Sequence, residues 1–108
     1  MSAKILQLNF TFNVSVAEYE QLVGPLADQF ATLPGLHWKI WMINEAAHEA
    51  GGIYLFENEA ALVAFLNGPL ATGTMAHPAL SGFSAKRFDI LEGPTAVTHG
   101  PVEVATPA

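Results

Sequence analysis

Residues 35–56 read Gly-Leu-His-Trp-Lys-Ile-Trp-Met-Ile-Asn-Glu-Ala-Ala-His-Glu-Ala-Gly-Gly-Ile-Tyr-Leu-Phe. The stretch describes two strands, 36–43 and 50–56, joined by a polar turn from Asn44 to Glu49. Two tryptophans, a tyrosine, a phenylalanine, two histidines and a lysine crowd into it. Aromatic faces beside a few ionisable groups suit a pocket for a flat organic ligand, and they equally suit a plain half-buried hairpin. Gly51-Gly52 marks either a bulge or a close approach of backbones.

Upstream of the hairpin, residues 4–12 alternate with period two, so that Leu6, Leu8, Phe10 and Phe12 make an oily face and Ile5, Gln7, Asn9 and Thr11 the other. Ser15 and Glu18 then form a capping box, with Val14 and Tyr19 in staple positions. Tyr19, Leu22, Val23, Leu26, Phe30 and Leu33 recur at helical spacing. Pro25 lacks an amide and crowds the carbonyl of Gln21, which predicts a kink there, and Leu33-Pro34-Gly35 ends the helix. Downstream, Asn58 caps a second helix with Leu62, Phe65 and Leu66 as its buried stripe. Asn67-Gly68-Pro69 bends or breaks it, with a further helical piece to about Ala76, and residues 84–91 read as a fourth strand.

The order β-α-β-β-α-β is the ferredoxin-like plan, an α+β fold with two helices on one face of a four-stranded antiparallel sheet. Residues 1–93 make this one domain, and residues 94–108 are a C-terminal tail, either frayed or an arm that orders on a partner chain. The face without helices is expected to hold Ile5, Asn9, Trp41, Ile43, Tyr54 and Phe56, too apolar to leave in water. Its simplest cover is the same face of a second chain, giving a two-fold homodimer.

Composition agrees, since 51% of the 108 residues are hydrophobic and only 13% charged, few with which to solvate a monomer. A net charge of −6 with four lysines and arginines offers no basic stripe, which argues against nucleic acid and against an anionic membrane surface. The absence of cysteine excludes disulfides, thiolate metal sites and a cysteine nucleophile. Neither a signal segment nor a long apolar run is visible, so a soluble, cytoplasmic protein is expected. No histidine pair has metal-ligand spacing, and no dinucleotide or phosphate-loop motif occurs, so neither metal nor cofactor is expected.

Strict alternation places Leu36, Trp38, Ile40 and Met42 toward the helices, and His37, Lys39, Trp41 and Ile43 on the other side. Trp41 is then the pocket tryptophan and Trp38 a core residue, although a single-residue bulge would exchange them. Tyr54 and Phe56 share a face and join the pocket, because a phenol under the helices would need a partner. Packing of all three aromatics at a dimer interface is the competing reading. Asn9 can donate an amide hydrogen bond to an oxyanion or simply bond its neighbours. His37 is the best-placed general base, with His48 in the turn beside Glu45 and Glu49. Lys39 contributes charge if it turns inward, and is otherwise a solvated edge lysine.

The block Gly-Leu-x-Trp-Lys-x-Trp, followed by Asn-Glu and His-Glu-Ala-Gly-Gly-Ile-Tyr-Leu-Phe, resembles the YdhR-type monooxygenases of the dimeric α/β-barrel superfamily. The resemblance runs from the first strand to Phe88-Asp89-Ile90 and departs from the pattern between Asn67 and Phe83. It implies a dimeric ferredoxin-like fold and a cofactor-independent monooxygenase acting on a small, flat phenolic or quinol-like compound. Proton removal then falls to His37, anion stabilisation to Asn9, Tyr54 and the Trp41 indole, and the walls include Phe56. Haem-degrading monooxygenases of the same superfamily use an asparagine, a tryptophan and a histidine where Asn9, Phe56 and His77 roughly stand, which implies haem binding as an alternative. A non-catalytic dimer that binds a small hydrophobic molecule is the rival of another class.

Overall fold

The computed structural model describes residues 3–102. Its elements are β1 (Lys4–Phe12), α1 (Val16–Val23), α2 (Leu26–Ala31), β2 (Leu36–Asn44), β3 (Glu49–Phe56), α3 (Glu59–Leu66), α4 (Pro69–Ala76), β4 (Leu80–Asp89) and α5 (Glu92–Val97). The strands form one antiparallel sheet in the order β2-β3-β1-β4, the ferredoxin-like arrangement, with α1 to α4 over one face.

Local chemistry sets the helix ends. The Ser15 hydroxyl oxygen accepts from the Glu18 N–H at 3.1 Å, and the hydroxyl donates to Glu18 Oε1. At Gly24-Pro25 the expected kink is a full break: Gly24 closes α1 on the Glu20 carbonyl, and Pro25, at φ −63°, opens α2. Asn58 Oδ1 accepts from the Ala61 N–H at 2.9 Å, and Pro69 stands in the first turn of α4, where its missing amide costs nothing.

Leu6, Leu8, Phe10 and Phe12 are buried beneath the helices, as the alternation of β1 requires. Cross-strand partners share a face, so the register decides the rest. Tyr54 lies opposite Leu6, which puts Tyr54 and Phe56 under the helices and corrects the expectation that they lie on the open face. In β2 the register shifts between Leu36 and Trp38, leaving His37 as an extra residue. That bulge reverses the alternation: Lys39 stands opposite Tyr54 and Trp41 opposite Gly52, both on the helix side, while Trp38 stands opposite Leu55 on the other. Ile43, opposite the core residue Ala50, moves to the helix side with them.

The open face therefore carries Ile5, Trp38, Ile40, Met42, Ile53 and Phe88, with Gln7 and Asn9 between them. β4 begins at Leu80 rather than 84, because a second register shift, with Gly82 at φ 66°, carries the chain through the glycine-containing stretch. Beyond β4 the chain forms α5, and the Trp38 indole donates to the Pro101 carbonyl at 2.7 Å. The rest of the proposed tail, residues 103–108, lies outside the described residues.

Candidate functional site

A cavity of about 360 Å³ opens between the sheet and α1 to α4. Leu22, Leu26, Phe30, Trp41, Phe65 and Leu70 give it apolar walls. Among the described residues the polar groups reaching it are few, and Lys39 is the one lysine or arginine.

Lys39 arrives there through two backbone events. The bulge at His37 turns it toward the helices, and Gly52 leaves the space its stem crosses, since a Cβ there would stand 2.7 Å from Lys39 Cε. Its Nζ lies 3.4 Å from the Trp41 ring centroid, 3.7 Å from that of Phe30 and 4.7 Å from that of Tyr54. Trp41 and Phe30 meet edge to face at 5.4 Å, so the amine sits in an aromatic corner. Among the described residues no carboxylate pairs with it, and the ion pair found there is that of Lys4 with Asp89. Burial without a counter-charge pushes the Lys39 amine down from 10.5 to about 7. At neutral pH much of it is therefore an uncharged base.

Two phenols share the cavity. Tyr19 and Tyr54 are almost fully buried, and among the described residues neither hydroxyl has a hydrogen-bond partner, yet neither is shut away from accessible space. Burial pushes Tyr19 up to about 12 and Tyr54 further, the latter helped by Tyr19 itself. Both remain protonated donors at neutral pH. At the far wall, His77 Nδ1 accepts from the Ala79 N–H at 3.1 Å, which leaves Nε2 as the protonated nitrogen of the neutral ring. The Thr74 hydroxyl donates to the Leu70 carbonyl at 2.7 Å.

The structure thus brings Lys39, Trp41, Tyr54 and His77 together. Phe56, with no exposed surface, stacks behind Tyr54 at 5.9 Å. His37 is exposed at the bulge, beside a second hollow that shares Phe30, Lys39 and Trp41 with the cavity. Asn9 is on the opposite face of the sheet, donating to Glu49 Oε2 and accepting from Gln7 Nε2, each at 3.3 Å. Trp38 is on that face as well, and His48 packs against Phe12 in the turn. The pocket lies under the helices, which corrects the expectation of a pocket on the open sheet face. Tyr19, Phe30 and Gln29 were legible only as residues of a helical stripe or surface; Tyr19 reaches the cavity from α1, and Gln29 and Phe30 reach it from α2, which follows the break at Pro25 and packs on β2.

Haem does not fit the residues expected to hold it. Of Asn9, Phe56 and His77, only His77 lines the cavity; Asn9 is across the sheet and Phe56 is sealed in the core. Among the described residues no three histidines or carboxylates gather closely enough to hold a metal ion.

Comparison with known proteins agrees with this architecture. The family described as "Putative mono-oxygenase ydhR" matches residues 5–101. No curated protein sequence matches the chain. Among solved structures, a protein of unknown function from Nitrosomonas europaea is similar with a TM-score of 0.72 at 20% identity, covering 84% of this chain and 91% of that one. A mutant of SnoaB, a cofactor-independent oxygenase from Streptomyces nogalater, is similar with a TM-score of 0.68 at 20% identity, covering 85% and 96%. The heme-degrader MhuD from Mycobacterium tuberculosis gives 0.62 at 18%, covering 81% and 95%. At these identities the likenesses speak for the fold.

Proposed function

The chain belongs to the ydhR mono-oxygenase family, and on that premise we propose that it oxidises a small, flat phenolic or quinol-like compound held in the helix-side cavity, without a cofactor. The observation that carries this reading is Lys39, an amine with no carboxylate partner among the described residues, in an aromatic corner of a mainly apolar cavity. The cofactor-independent route draws on the likeness to SnoaB.

In this scheme a phenol slides against Trp41 and Phe30, and the neutral Lys39 amine takes its hydroxyl proton. The new ammonium and the Tyr54 and Tyr19 hydroxyls hold the phenolate, in a site whose walls exclude water. The phenolate passes one electron to dioxygen, the two radicals combine at a ring carbon that bears hydrogen, and loss of one water leaves a quinone. Proton removal moves from His37 to Lys39, because His37 does not line this cavity. An oxygen electrode tests the scheme. Uptake proportional to protein is expected with naphthols or hydroquinones after chelator treatment, rising with pH through about 7 as Lys39 loses its proton. Binding of these compounds with no uptake from any of them would leave the chain a small-molecule binder.

We also propose that a second copy covers the open sheet face. Ile40 is 52% exposed and Phe88 47%, side by side with Ile5, Met42 and Ile53 across the sheet. Ile40→Asp should turn a dimer into a monomer in sedimentation at micromolar concentration, since it leaves a carboxylate unpaired in the interface. A wild-type protein that sediments as a monomer would contradict this.

A further inference from the structure

We propose that Lys39 is a carbonyl-capture site, whose amine condenses with a flat aryl aldehyde admitted to the cavity and holds it as an imine. This activity is separate from oxygen chemistry and stands on the placement of three groups.

The first is the nucleophile. Lys39 Nζ lies over the faces of Trp41 and Phe30, and among the described residues no carboxylate pairs with it, so no salt bridge there holds it as an ammonium. The chain has two other lysines, Lys4 and Lys86, and Lys4 is tied to Asp89. The second is the space. A planar ring slipped between Leu22, Leu26 and Phe65 brings a substituent carbonyl to the amine, and the apolar walls favour an imine over its hydrolysis by keeping water sparse. The third is the proton donor. The Tyr54 ring centroid lies 4.7 Å from Nζ, and its phenol, held protonated by burial, has no competing partner among the described residues.

The step balances without oxidant or reductant. Nitrogen attacks the carbonyl carbon, the carbon–oxygen π bond opens to a hydroxyl, and a carbinolamine forms. That hydroxyl leaves as one water, with Tyr54 supplying a proton to it and recovering one from nitrogen, and a carbon–nitrogen double bond remains.

The test is reductive trapping of the wild-type protein with benzaldehyde and sodium cyanoborohydride at pH 7, read by intact mass and peptide mapping. Cyanoborohydride delivers hydride to the imine carbon and makes the adduct permanent. At pH 7 the neutral fraction of Lys39 exceeds that of an ordinary lysine by about a thousandfold, offset in part by its weaker basicity. Benzylation of Lys39 should therefore outpace that of Lys4 and Lys86 by roughly tenfold or more, and excess benzyl alcohol, which fills the cavity but cannot react, should suppress it at Lys39 alone. Lys39→Met should remove the fast adduct and leave the slow ones. Equal labelling of Lys39 and Lys86, or labelling of Lys39 that benzyl alcohol leaves unchanged, would overturn the proposal.

Discussion

Lys39→Met is expected to lower oxygen uptake by about a hundredfold or more, the scale of a lost general base, and in the same protein to raise the melting temperature. The second effect follows from proton linkage. The amine titrates at 10.5 in the unfolded chain and at about 7 in the folded one. Between those values the unfolded chain holds a proton that the folded chain has released, so stability rises with pH across that window. Below about 7 the folded protein carries the whole cost of a charged amine among apolar walls. A penalty of a few kcal/mol at pH 6 follows. Methionine fills the same corner without charge, so melting at pH 6 should rise by roughly 10 °C, and the gain should shrink toward zero near pH 10.5. A gain that does not change with pH would mean that Lys39 is solvated, and both the base and the cavity assignment would fall with it.

Gly51→Ala is expected to destabilise the protein severely. A Cβ at Gly51 would stand 1.9 Å from the Leu8 carbonyl oxygen and 3.0 Å from Asn9 Cα, both backbone atoms of β1, a strand paired on both sides. Nothing there can yield without parting β1 from β3. The loss should reach about 3 kcal/mol or more, a large share of a small domain's stability. Gly52→Ala meets the flexible end of Lys39 at 2.7 Å and presses more lightly on Tyr54 Cε1 at 3.2 Å and the Ile40 carbonyl oxygen at 3.3 Å, so it should cost less stability than Gly51→Ala while displacing the amine and lowering oxygen uptake. At Gly73 a Cβ meets nothing within 4 Å, so Gly73→Ala in α4 should be neutral or slightly stabilising. Urea denaturation of the three variants ranks them; a Gly51→Ala protein as stable as Gly52→Ala would contradict the close approach of β1 and β3.

The fold was written in local signals that act over a few residues. The alternation of 4–12, the caps at Ser15 and Asn58, and the prolines at 25 and 69 each specify an element or its end without help from elsewhere. The faces of the hairpin were not written that way. Nothing in Leu-His-Trp marks His37 as a bulge, because a bulge is chosen by how β2 pairs with β3, and one extra residue inverts every side chain after it. Tyr54 misled for a different reason. A phenol under helices was expected to need a partner, but the hydroxyl borders the cavity and keeps some accessible space there, while burial of the rest of the side chain still raises its pKa. Lys39 looked like an edge lysine for the same want of tertiary context; only the break at Pro25, the bulge and Gly52 together show that it turns inward.

The central claim is that ligand enters between sheet and helices, against Trp41, and not on the open face, against Trp38. The chain has these two tryptophans and no others, so each can be made the sole emitter. Titration of Trp38→Phe and of Trp41→Phe with a naphthohydroquinone, followed by tryptophan fluorescence, separates the faces. Saturable quenching in Trp38→Phe, where Trp41 alone emits, with a flat response in Trp41→Phe, is the expected result. Saturable quenching confined to Trp41→Phe would put the ligand on the open face and contradict the account.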